Sequence, residues 1–371
     1  MMRISICGGG SLSHAVAAVL GARSDVEVRV LTRQPRRWSG NLRAIYLDIA
    51  EITGRVSLAS SDPQTAVAGA DIVILCVPSC ARERILTAIA PFVDKHTRVG
   101  CFPGFGGFEW QARHILGAEV RIFGLQRVPY VRKTISYGEA VWISGIRPRL
   151  FVGALPASDA PAIAHLLEDL LSIPSDPLPN YLPVTLSASN AIFHPARIYS
   201  AFSGLTEQAG LPDRKLFYEE WDDAASIAYL SLDKELQAIC ARIPADLSAA
   251  QPIRVHYGVA DAAALTQRIR TIRALRDRHL PLLRHESGFI PDVLSSYFTE
   301  DIPFGLLVVK AVAETVDLRT PYIDTVLHWA QSAMKRSYLM GERIGGADVA
   351  ALPLPSRYGI TDVGSLLKAA L

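Results

Sequence analysis

The sequence has 371 residues, of which 50% are hydrophobic, and this is enough to build two domains with large cores. Its formal net charge of +2 argues against a general attraction to nucleic acid or anionic membranes. The five cysteines contain no Cys-x-x-Cys pair, and no histidine cluster lies beside them. We therefore expect reduced thiols, no bound metal and a cytoplasmic location. The start lacks the features of a secretory signal, and the apolar runs are too short or interrupted to span a bilayer.

The first segment predicts a strand, a glycine turn, a helix and a second strand. The strands are Arg3 to Cys7 and Glu27 to Thr32, and the sequence between them begins GGGSLSHA. This is the pattern of a dinucleotide-binding βαβ unit, in which pyrophosphate lies on the helix N-terminus. Ser13 stands where the third glycine or alanine of this motif usually lies. The alternative interpretation of the segment is a glycine-rich turn that binds no ligand. The predicted cofactor contacts here are Gly8, Gly10, Ser11, Leu12 and Ser13.

The end of the second predicted strand bears on the choice of cofactor. An NAD site usually has an acidic residue there for the ribose hydroxyls, whereas this sequence has Thr32, Arg33, Gln34, Pro35 and Arg36. A guanidinium can bind a 2′-phosphate through two hydrogen bonds. We therefore expect NADP(H) to be preferred, with contacts from Thr32, Arg33 and Arg36, and NAD(H) to be the alternative. A solvated basic loop would give the same residues.

The following apolar runs extend the sheet. The run Ala70 to Cys80 predicts a buried strand whose end, Cys76, Val77 and Pro78, faces the ligand crevice of an open α/β sheet. Residues 119–133 and 139–145 are expected to continue the same sheet. A proline-rich segment, Ser172 to Pro183, predicts the domain boundary.

Helix-period patterns dominate after this boundary. They predict helices over residues 185–203, 215–243 and 260–283. The expected fold is therefore an α/β, doubly wound Rossmann domain over residues 1–181, followed by an all-α domain over residues 182–371. We interpret the basic stretch 267–279 as a solvated helix face rather than a nucleic-acid contact.

Two polar segments in the helical region are candidates for chemistry. In SNAIFHPARIY, a helix would place Asn190 and His194 on one face with Arg197 at its edge. Imidazole changes charge near neutral pH and can act as an acid or base; the alternative is a core histidine in a helix kinked by Pro195. In YFTEDIP, Thr299 is an expected N-cap, and the acids after it either start a helix or orient the histidine.

Together, ICGGGSLSHA, LTRQP, NAIFHPARI, and YFTEDIPFGLL followed by TPYID make the sequence resemble the octopine/nopaline, or opine, dehydrogenase family. The resemblance spans nearly the whole chain, and its HP and EDIP segments are more specific than the glycine loop. It implies a Rossmann domain and a helical domain with the active site between them, and a homodimer. It also implies that an amino acid or an amino-acid-derived amine condenses with a 2-oxo acid to an imine, which NAD(P)H reduces. The family's catalytic histidine matches His194, and its partner aspartate matches Asp301.

One position departs from the family pattern. Some members have an arginine five residues before the catalytic aspartate, where it would hold the oxo-acid carboxylate, and Ser296 stands there in this sequence. The basic residues that could take its place are Arg127, Arg132, Lys133 and Arg197. Two amides, Gln126 and Asn190, are candidates for further polar contacts with the substrate. Tyr218 and Trp221 either line the amine pocket or pack the helical core, and core packing is favoured.

Two other functions stay open on the sequence. A simple NADPH-dependent 2-oxo acid or ketone reductase would oxidise NADPH with the oxo acid alone. A non-catalytic NADPH-binding protein would bind the cofactor without turnover. The sequence does not identify the amine.

Overall fold

The computed structural model describes residues 1–46, 50–205 and 210–371. The chain divides into two compact units, Met1–Thr185 with Ala369–Leu371, and Leu186–Lys368. The division falls at residue 185, slightly beyond the predicted boundary at residue 181, because the segment after Tyr181 packs on the first unit. A Cβ atom on Gly153 would lie 2.8 Å from Val184 and 3.3 Å from Tyr181.

The first unit is built from β-strands and α-helices. Its strands in chain order are β1 (Met2–Cys7), β2 (Val26–Leu31), β3 (Asn41–Tyr46), β4 (Ala50–Arg55), β5 (Leu58–Ser60), β6 (Ile72–Leu75), β7 (Arg98–Cys101), β8 (Arg121–Leu125), β9 (Tyr130–Ser136), β10 (Ala140–Ile146), β11 (Leu150–Leu155) and β12 (Ser175–Pro177). Its helices are α1 (Ser11–Gly21), α2 (Pro63–Val67), α3 (Ser79–Ile89), α4 (Phe108–Leu116), α5 (Ala160–Leu171) and α6 (Leu182–Thr185).

An eight-stranded sheet forms the core of this unit, in the order β12-β11-β8-β7-β6-β1-β2-β5. Strand β1 pairs in parallel with β2 and β6, and Ile4 faces Val28 on one side and Ile72 on the other. All four residues of β6 are buried, as expected for a parallel strand covered on both faces. The predicted doubly wound α/β domain is confirmed.

A second sheet of four strands, in the order β4-β3-β10-β9, was not expected. The prediction that residues 119–133 and 139–145 continue the main sheet is correct for β8 and wrong for β9 and β10. The reason lies in α1, whose side chains are buried nearly all round and therefore need cover on two sides. Strand β4 supplies part of that cover by close approach, since a Cβ atom on Gly54 would lie 2.1 Å from the Ala18 carbonyl oxygen.

The second unit is mainly helical, as predicted. Its helices are α7 (Asn190–Phe202), α8 (Asp223–Arg242), α9 (Ile253–Tyr257), α10 (Ala262–Arg270), α11 (Ser296–Thr299), α12 (Leu307–Thr315) and α13 (Pro321–Met334), and the terminal helix α14 (Val363–Ala370) follows. Two hairpins complete it: β13 (Leu282–His285) with β14 (Gly288–Pro291), and β15 (Leu339–Met340) with β16 (Arg343–Ile344).

All three helices predicted in this unit are shorter than expected, and the one predicted over 185–203 is α7, Asn190–Phe202. The helix predicted from residue 215 begins only at Asp223, because the Asp222 carboxylate accepts a hydrogen bond from the Ala225 N–H at 2.8 Å and caps it there. The helix predicted over 260–283 ends at Arg270, so the basic stretch 267–279 is α-helical only at its start, and a short 3-10 turn follows at Arg273–Leu275. Within residues 1–46, 50–205 and 210–371, each helix is too short or too polar to cross a bilayer.

Candidate active site

In the glycine turn after β1, other protein atoms lie close to Gly8 and Gly9, whereas the space beside Gly10 is empty. Gly8 has φ +138°, and a Cβ atom on it would lie 2.5 Å from the Cys76 carbonyl oxygen. A Cβ atom on Gly9 would lie 2.4 Å from the Tyr137 hydroxyl, whereas one on Gly10 would meet nothing within 4 Å. Gly10 is the N-cap of α1, so the N–H groups of the first helical turn are available to an anion.

A cavity of about 730 Å³ lies beside this turn, within the size range of small-molecule sites. Several predicted cofactor residues line it: Gly8, Gly10, Thr32, Arg33, Cys76, Val77 and Pro78. The other predicted side chains have different environments. The Ser11 hydroxyl bonds to that of Thr134 at 2.8 Å, and the Ser13 hydroxyl donates to the Cys76 carbonyl oxygen at 3.3 Å. Leu12 is buried in the core, and Arg36 is exposed outside the cavity lining.

The sequence reasoning missed several lining residues, among them Arg84 and Tyr137. Arg84 is an exposed residue of α3, and Tyr137 comes from the turn between β9 and β10. The Tyr137 hydroxyl lies 3.2 Å from the Thr32 hydroxyl. The segment RERIL, residues 82–86, contains two arginines shortly after β6, and this was a weak indication that a second cation lies near the carboxyl ends of the strands. Tyr137 carried no signal, because the second sheet that presents it was not predicted.

His14 links the glycine turn to the hairpin that carries Tyr137. Its Nδ1 lies 2.8 Å from the Gly10 carbonyl oxygen, and its Nε2 accepts the Gly138 N–H at 2.7 Å. The ring also packs on Trp38 with centroids 4.4 Å apart. Because Nε2 accepts, the proton of the neutral ring is on Nδ1, which donates to Gly10. Burial lowers the pKa of His14 and favours this neutral form.

These features fit a nicotinamide dinucleotide. The helix N-terminus and the open backbone at Gly10 suit a pyrophosphate. Arg33 and Arg84 both line the cavity, and the residues after β2 include no acid up to Arg37. The backbone N–H groups of the helix N-terminus and the two guanidinium groups are therefore suited to binding a ligand with several negative charges.

The second unit brings His194 and Asp301 together although they are 107 residues apart in sequence. The His194 Nδ1 lies 2.8 Å from the Asp301 Oδ2, and the two side chains are only 12% and 6% exposed. A π-helical turn, Ile302–Leu306, follows the aspartate. It packs closely on α7, because a Cβ atom on Gly305 would lie 2.8 Å from the Cα of Ala191.

The local structure around this pair differs from the prediction in one respect. Thr299 is not an N-cap; it lies inside α11, and its hydroxyl donates to the Ser295 carbonyl oxygen at 3.0 Å. Asp301 instead precedes the π-helical turn, and its carbonyl oxygen accepts the Leu306 N–H at 2.9 Å. Pro195 lies inside α7 as predicted. Burial raises the pKa of Asp301, and the adjacent His194 opposes that rise.

Tyr218 occupies the other nitrogen of the histidine. Its hydroxyl lies 3.0 Å from the His194 Nε2. Phe193 and Phe217 pack against the Tyr218 ring, with centroids 5.6 Å and 4.6 Å away. Burial raises the pKa of Tyr218 well above its usual value. Core packing was the favoured prediction for Tyr218, and its ring does pack, but its hydroxyl faces the candidate base. Nothing local in FYEEWDD distinguished these two environments.

Arg197 is not placed to hold a substrate, which corrects the expectation for this residue. The side chain is buried, and all three of its guanidinium nitrogens bind the segment 217–222. Nε donates to the Phe217 carbonyl oxygen at 3.1 Å, one terminal nitrogen donates to Asp222 at 3.0 Å, and the other donates to the Glu220 carbonyl oxygen at 2.7 Å. Arg197 therefore anchors the loop that carries Tyr218.

The remaining predicted substrate residues have varied environments. Asn190 is the first residue of α7 and is half-buried, on the same helix as His194. In the first unit, Gln126 is buried and its Nε2 donates to the Pro183 carbonyl oxygen at 2.9 Å. Arg127 follows it and is half-buried. Trp221 is fully buried, and its ring nitrogen donates to the Ser226 hydroxyl at 2.9 Å, so it packs the helical core as favoured.

Arg278 belongs to the basic stretch 267–279 that was interpreted as a solvated helix face, yet it lies close to the tyrosines around His194. The Phe217 N–H donates to the Arg278 carbonyl oxygen at 2.6 Å, and the side chain of Arg278 is half-buried. Tyr297 packs edge-on against the His194 ring at 4.8 Å and stacks on Phe217 at 4.6 Å. Burial raises the pKa of Tyr297 to about 12, and the Arg278 charge opposes the rise at both Tyr218 and Tyr297.

Metal chemistry has no visible basis in the described residues. In the ranges 1–46, 50–205 and 210–371, no three His, Cys, Asp or Glu side chains are grouped to hold an ion. The five cysteines are free thiols, and burial raises the pKa of Cys7 to about 12.

Comparisons with known proteins agree with both halves of this description. Residues 177–334 match the family model described as NAD/NADP octopine/nopaline dehydrogenase, alpha-helical domain, and residues 4–125 match that of ketopantoate reductase PanE/ApbA. The chain is 29% identical to octopine dehydrogenase of Pecten maximus, over 99% of this chain and 98% of the relative. It is 28% identical to tauropine dehydrogenase of Arabella iricolor, over 99% of this chain and 100% of the relative.

Solved structures of octopine dehydrogenase are similar over the same length. The one in complex with NADH and agmatine superimposes with a TM-score of 0.87 at 27% identity, covering 99% of this chain and 98% of the other. The one with NADH and pyruvate gives a TM-score of 0.86 at 27% identity, with the same coverage. The similarity therefore extends through both units rather than through the dinucleotide fold alone.

Proposed function

Because this chain belongs to the octopine/nopaline, or opine, dehydrogenase family of oxidoreductases, we propose that it catalyses the NADPH-dependent reductive condensation of an amine with a 2-oxo acid. The amine is an amino acid or an amino-acid-derived amine. The observation that carries the proposal is the buried His194–Asp301 pair at 2.8 Å, which is suited to moving protons to and from the carbonyl oxygen or imine nitrogen.

The overall reaction consumes one amine, one 2-oxo acid, one NADPH and one proton, and yields a secondary amine, NADP⁺ and water. When bound, the nicotinamide supplies the hydride. The chain supplies proton transfer, because addition of the amine and loss of water each move protons at the reacting centre. Asp301 faces Nδ1 of His194 and stabilises the ring when it is charged, so Nε2 is the nitrogen left to exchange a proton.

For the cofactor, we propose NADP(H) as the preferred form. Arg33 and Arg84 line the cavity beside the glycine turn, and two guanidinium groups can bind a 2′-phosphate. NAD(H) is the alternative, since octopine dehydrogenase binds NADH in its solved structure. The backbone contacts proposed at Gly8, Gly10 and the first turn of α1 serve either form.

For the 2-oxo acid, we propose that Arg278 holds the carboxylate in place of the arginine missing at Ser296. The carboxylate of a 2-oxo acid is bonded to the reacting carbonyl carbon, so its cation must lie near the acid–base group. Arg278 is supported by its backbone bond to Phe217 and by its charge at Tyr218 and Tyr297. Arg127 remains a second candidate, since it is half-buried near the end of β8.

Other expectations remain predictions. A homodimer and a cytoplasmic location are expected from the resemblance and from the reduced thiols, and binding to nucleic acid or membranes is not expected. Agmatine and pyruvate each appear with NADH in structures of octopine dehydrogenase, so both belong in a first set of test substrates.

The deciding experiment follows NADPH and NADH oxidation by absorbance. Pyruvate, 2-oxoglutarate and glyoxylate are each supplied alone and with a panel of amino acids and amines that includes arginine and agmatine. We expect oxidation only when both partners are present, with the secondary amine identified by mass spectrometry.

Two other outcomes would replace this proposal. Oxidation with the oxo acid alone would identify a simple reductase, a function suggested by the match of residues 4–125 to ketopantoate reductase. Cofactor binding without turnover on any pair would identify a non-catalytic NADPH-binding protein.

A further inference from the structure

Both ring nitrogens of His194 are occupied by protein atoms. Nδ1 faces Asp301 at 2.8 Å, and Nε2 faces the Tyr218 hydroxyl at 3.0 Å. A substrate can therefore reach the histidine directly only if Tyr218 moves away. We propose instead that Tyr218 is itself a catalytic residue, whose hydroxyl passes protons between His194 and the reacting oxygen of the substrate. This inference rests on the proposed function.

The packing around Tyr218 argues against displacement. Its side chain is buried, with rings of Phe193 and Phe217 against it at 5.6 Å and 4.6 Å. The segment that carries it is held from two directions. Arg197 donates to the carbonyl oxygens of Phe217 and Glu220, and the Phe217 N–H donates to the Arg278 carbonyl oxygen. Moving the ring out would expose a large aromatic surface, which costs free energy.

The electrostatic surroundings suit a relay that stays neutral. Burial raises the pKa of Tyr218 well above its usual value; Tyr297, Asp301 and Tyr257 add to the rise, and Arg278 opposes it. The hydroxyl therefore keeps its proton at neutral pH and is a donor. Such a group can release its proton only while it receives another, and His194 is in place to supply it. The two transfers are then concerted, and no tyrosinate accumulates.

The proposed step is the loss of water from the carbinolamine that forms when the amine adds to the oxo acid. The carbon–oxygen bond breaks, and its electron pair leaves with the hydroxyl oxygen. That oxygen takes the Tyr218 proton and departs as water. The Tyr218 oxygen takes the Nε2 proton of charged His194, while the Nδ1 proton stays on the ring, hydrogen-bonded to Asp301. The nitrogen lone pair completes the iminium double bond. One solvent proton then recharges His194, and this is the proton consumed in the overall reaction.

A purely structural role for Tyr218 makes different predictions. If the hydroxyl only holds the ring of His194, its removal frees Nε2 for direct contact with the substrate. Activity would then be kept or raised. If the hydroxyl carries the proton, its removal leaves a gap between Nε2 and the substrate oxygen, and turnover falls while binding does not.

The test is Tyr218→Phe, which keeps the ring and removes the hydroxyl. We expect kcat to fall at least about a hundredfold, the magnitude usual for general acid–base groups, with little change in KM or in NADPH affinity measured by fluorescence. The solvent deuterium isotope effect on kcat should also change, because one of two concerted proton transfers is lost. Thermal unfolding and cofactor binding verify that the variant is folded.

Tyr229→Phe is the matched control. Its ring also packs on Phe193, at 5.0 Å, but its hydroxyl donates to the Ala188 carbonyl oxygen at 2.9 Å. We expect its kcat and isotope effect to stay close to those of the wild type. A Tyr218→Phe enzyme with kcat within about twofold of wild type, against the hundredfold expected for an acid–base group, would overturn the relay.

Failure of the proposed function gives a separate result. If the wild type reduces an oxo acid without the amine, that function is wrong, yet the same pair of variants still tests the relay, because the developing alkoxide needs a proton at the same position. If the wild type turns over no carbonyl substrate at all, the relay is overturned together with the function.

Discussion

The glycine-turn cavity of the first unit and the His194 site of the second unit are built in opposite ways. The first has its proposed pyrophosphate contacts in one continuous stretch, the glycine turn and the start of α1, and these contacts are mostly backbone, while Arg33 and Arg84 add side-chain charge from elsewhere. The second joins side chains from three distant segments, at His194, Tyr218 and Asp301. A backbone site is specified by local sequence, whereas a side-chain site depends on the tertiary fold.

The two sites also differ in exposure. Arg33 and Arg84 are exposed at the cavity, where water and salt screen charge. His194, Tyr218 and Asp301 are largely buried, where each lost hydrogen bond leaves a partner without solvent. We therefore expect changes at the His194 site to have large effects on rate, and changes at the cavity to have modest effects on affinity.

The largest effect is expected from His194→Ala. Removing the imidazole takes away the group that exchanges protons with the reaction, so kcat should fall at least about a hundredfold. NADPH affinity, measured by fluorescence titration, should be nearly unchanged. The control is His279→Ala, an exposed histidine of the same unit, which should keep wild-type activity. An active His194→Ala enzyme would remove this site from the mechanism.

A smaller effect is expected from Arg278→Gln. Loss of a charge-assisted hydrogen bond costs roughly 1.5–3 kcal/mol, so the KM for the 2-oxo acid should rise about tenfold or more, while the KM for the amine changes less. Steady-state kinetics with each substrate varied in turn measures the difference. Arg276→Gln, an exposed neighbour, serves as the control. An unchanged oxo-acid KM would direct attention to Arg127.

The smallest effect is expected at the exposed cation pair of the cavity. Changing Arg33 and Arg84 together to Gln should weaken NADPH binding by about tenfold and NADH binding by much less, because only NADPH has the 2′-phosphate. Raising the salt concentration should shrink the difference. Arg36→Gln alone should have less effect, since Arg36 lies outside the cavity lining. Equal losses for both cofactors would remove the basis for preferring NADP(H).

The sequence predicted what depends on neighbouring residues. The βαβ unit, the turn at Gly8 and Gly10 and the helical second unit follow from local periodicity and glycine chemistry. The pairing of His194 with Asp301 was expected only through the family resemblance, since 107 residues separate them. Their approach depends on Gly305, whose missing side chain lets the π-helical turn reach α7.

The contacts that escaped prediction come from long-range backbone pairing. Arg278 lies near Tyr218 and Tyr297 because its carbonyl oxygen accepts the Phe217 N–H. A single backbone hydrogen bond of this kind leaves no periodic pattern in the sequence from which it could be predicted. Tyr137 reaches the glycine turn because β9 and β10 leave the main sheet. Arg197 was misjudged for a related reason, since its three partners lie 20 to 25 residues further along the chain.

The anchoring role of Arg197 has a consequence for redesign. His194 and Arg197 share one helix, and Arg197 grips the loop that presents Tyr218. His194 and Tyr218 are thus tied into one module of helix and loop, whereas Asp301, Tyr297 and Arg278 approach it from other segments. Mutant libraries that vary Tyr297 and Arg278 can search for enzymes that accept new amines and oxo acids while the module stays intact. Libraries that also vary Arg197 would disturb proton transfer and substrate specificity together.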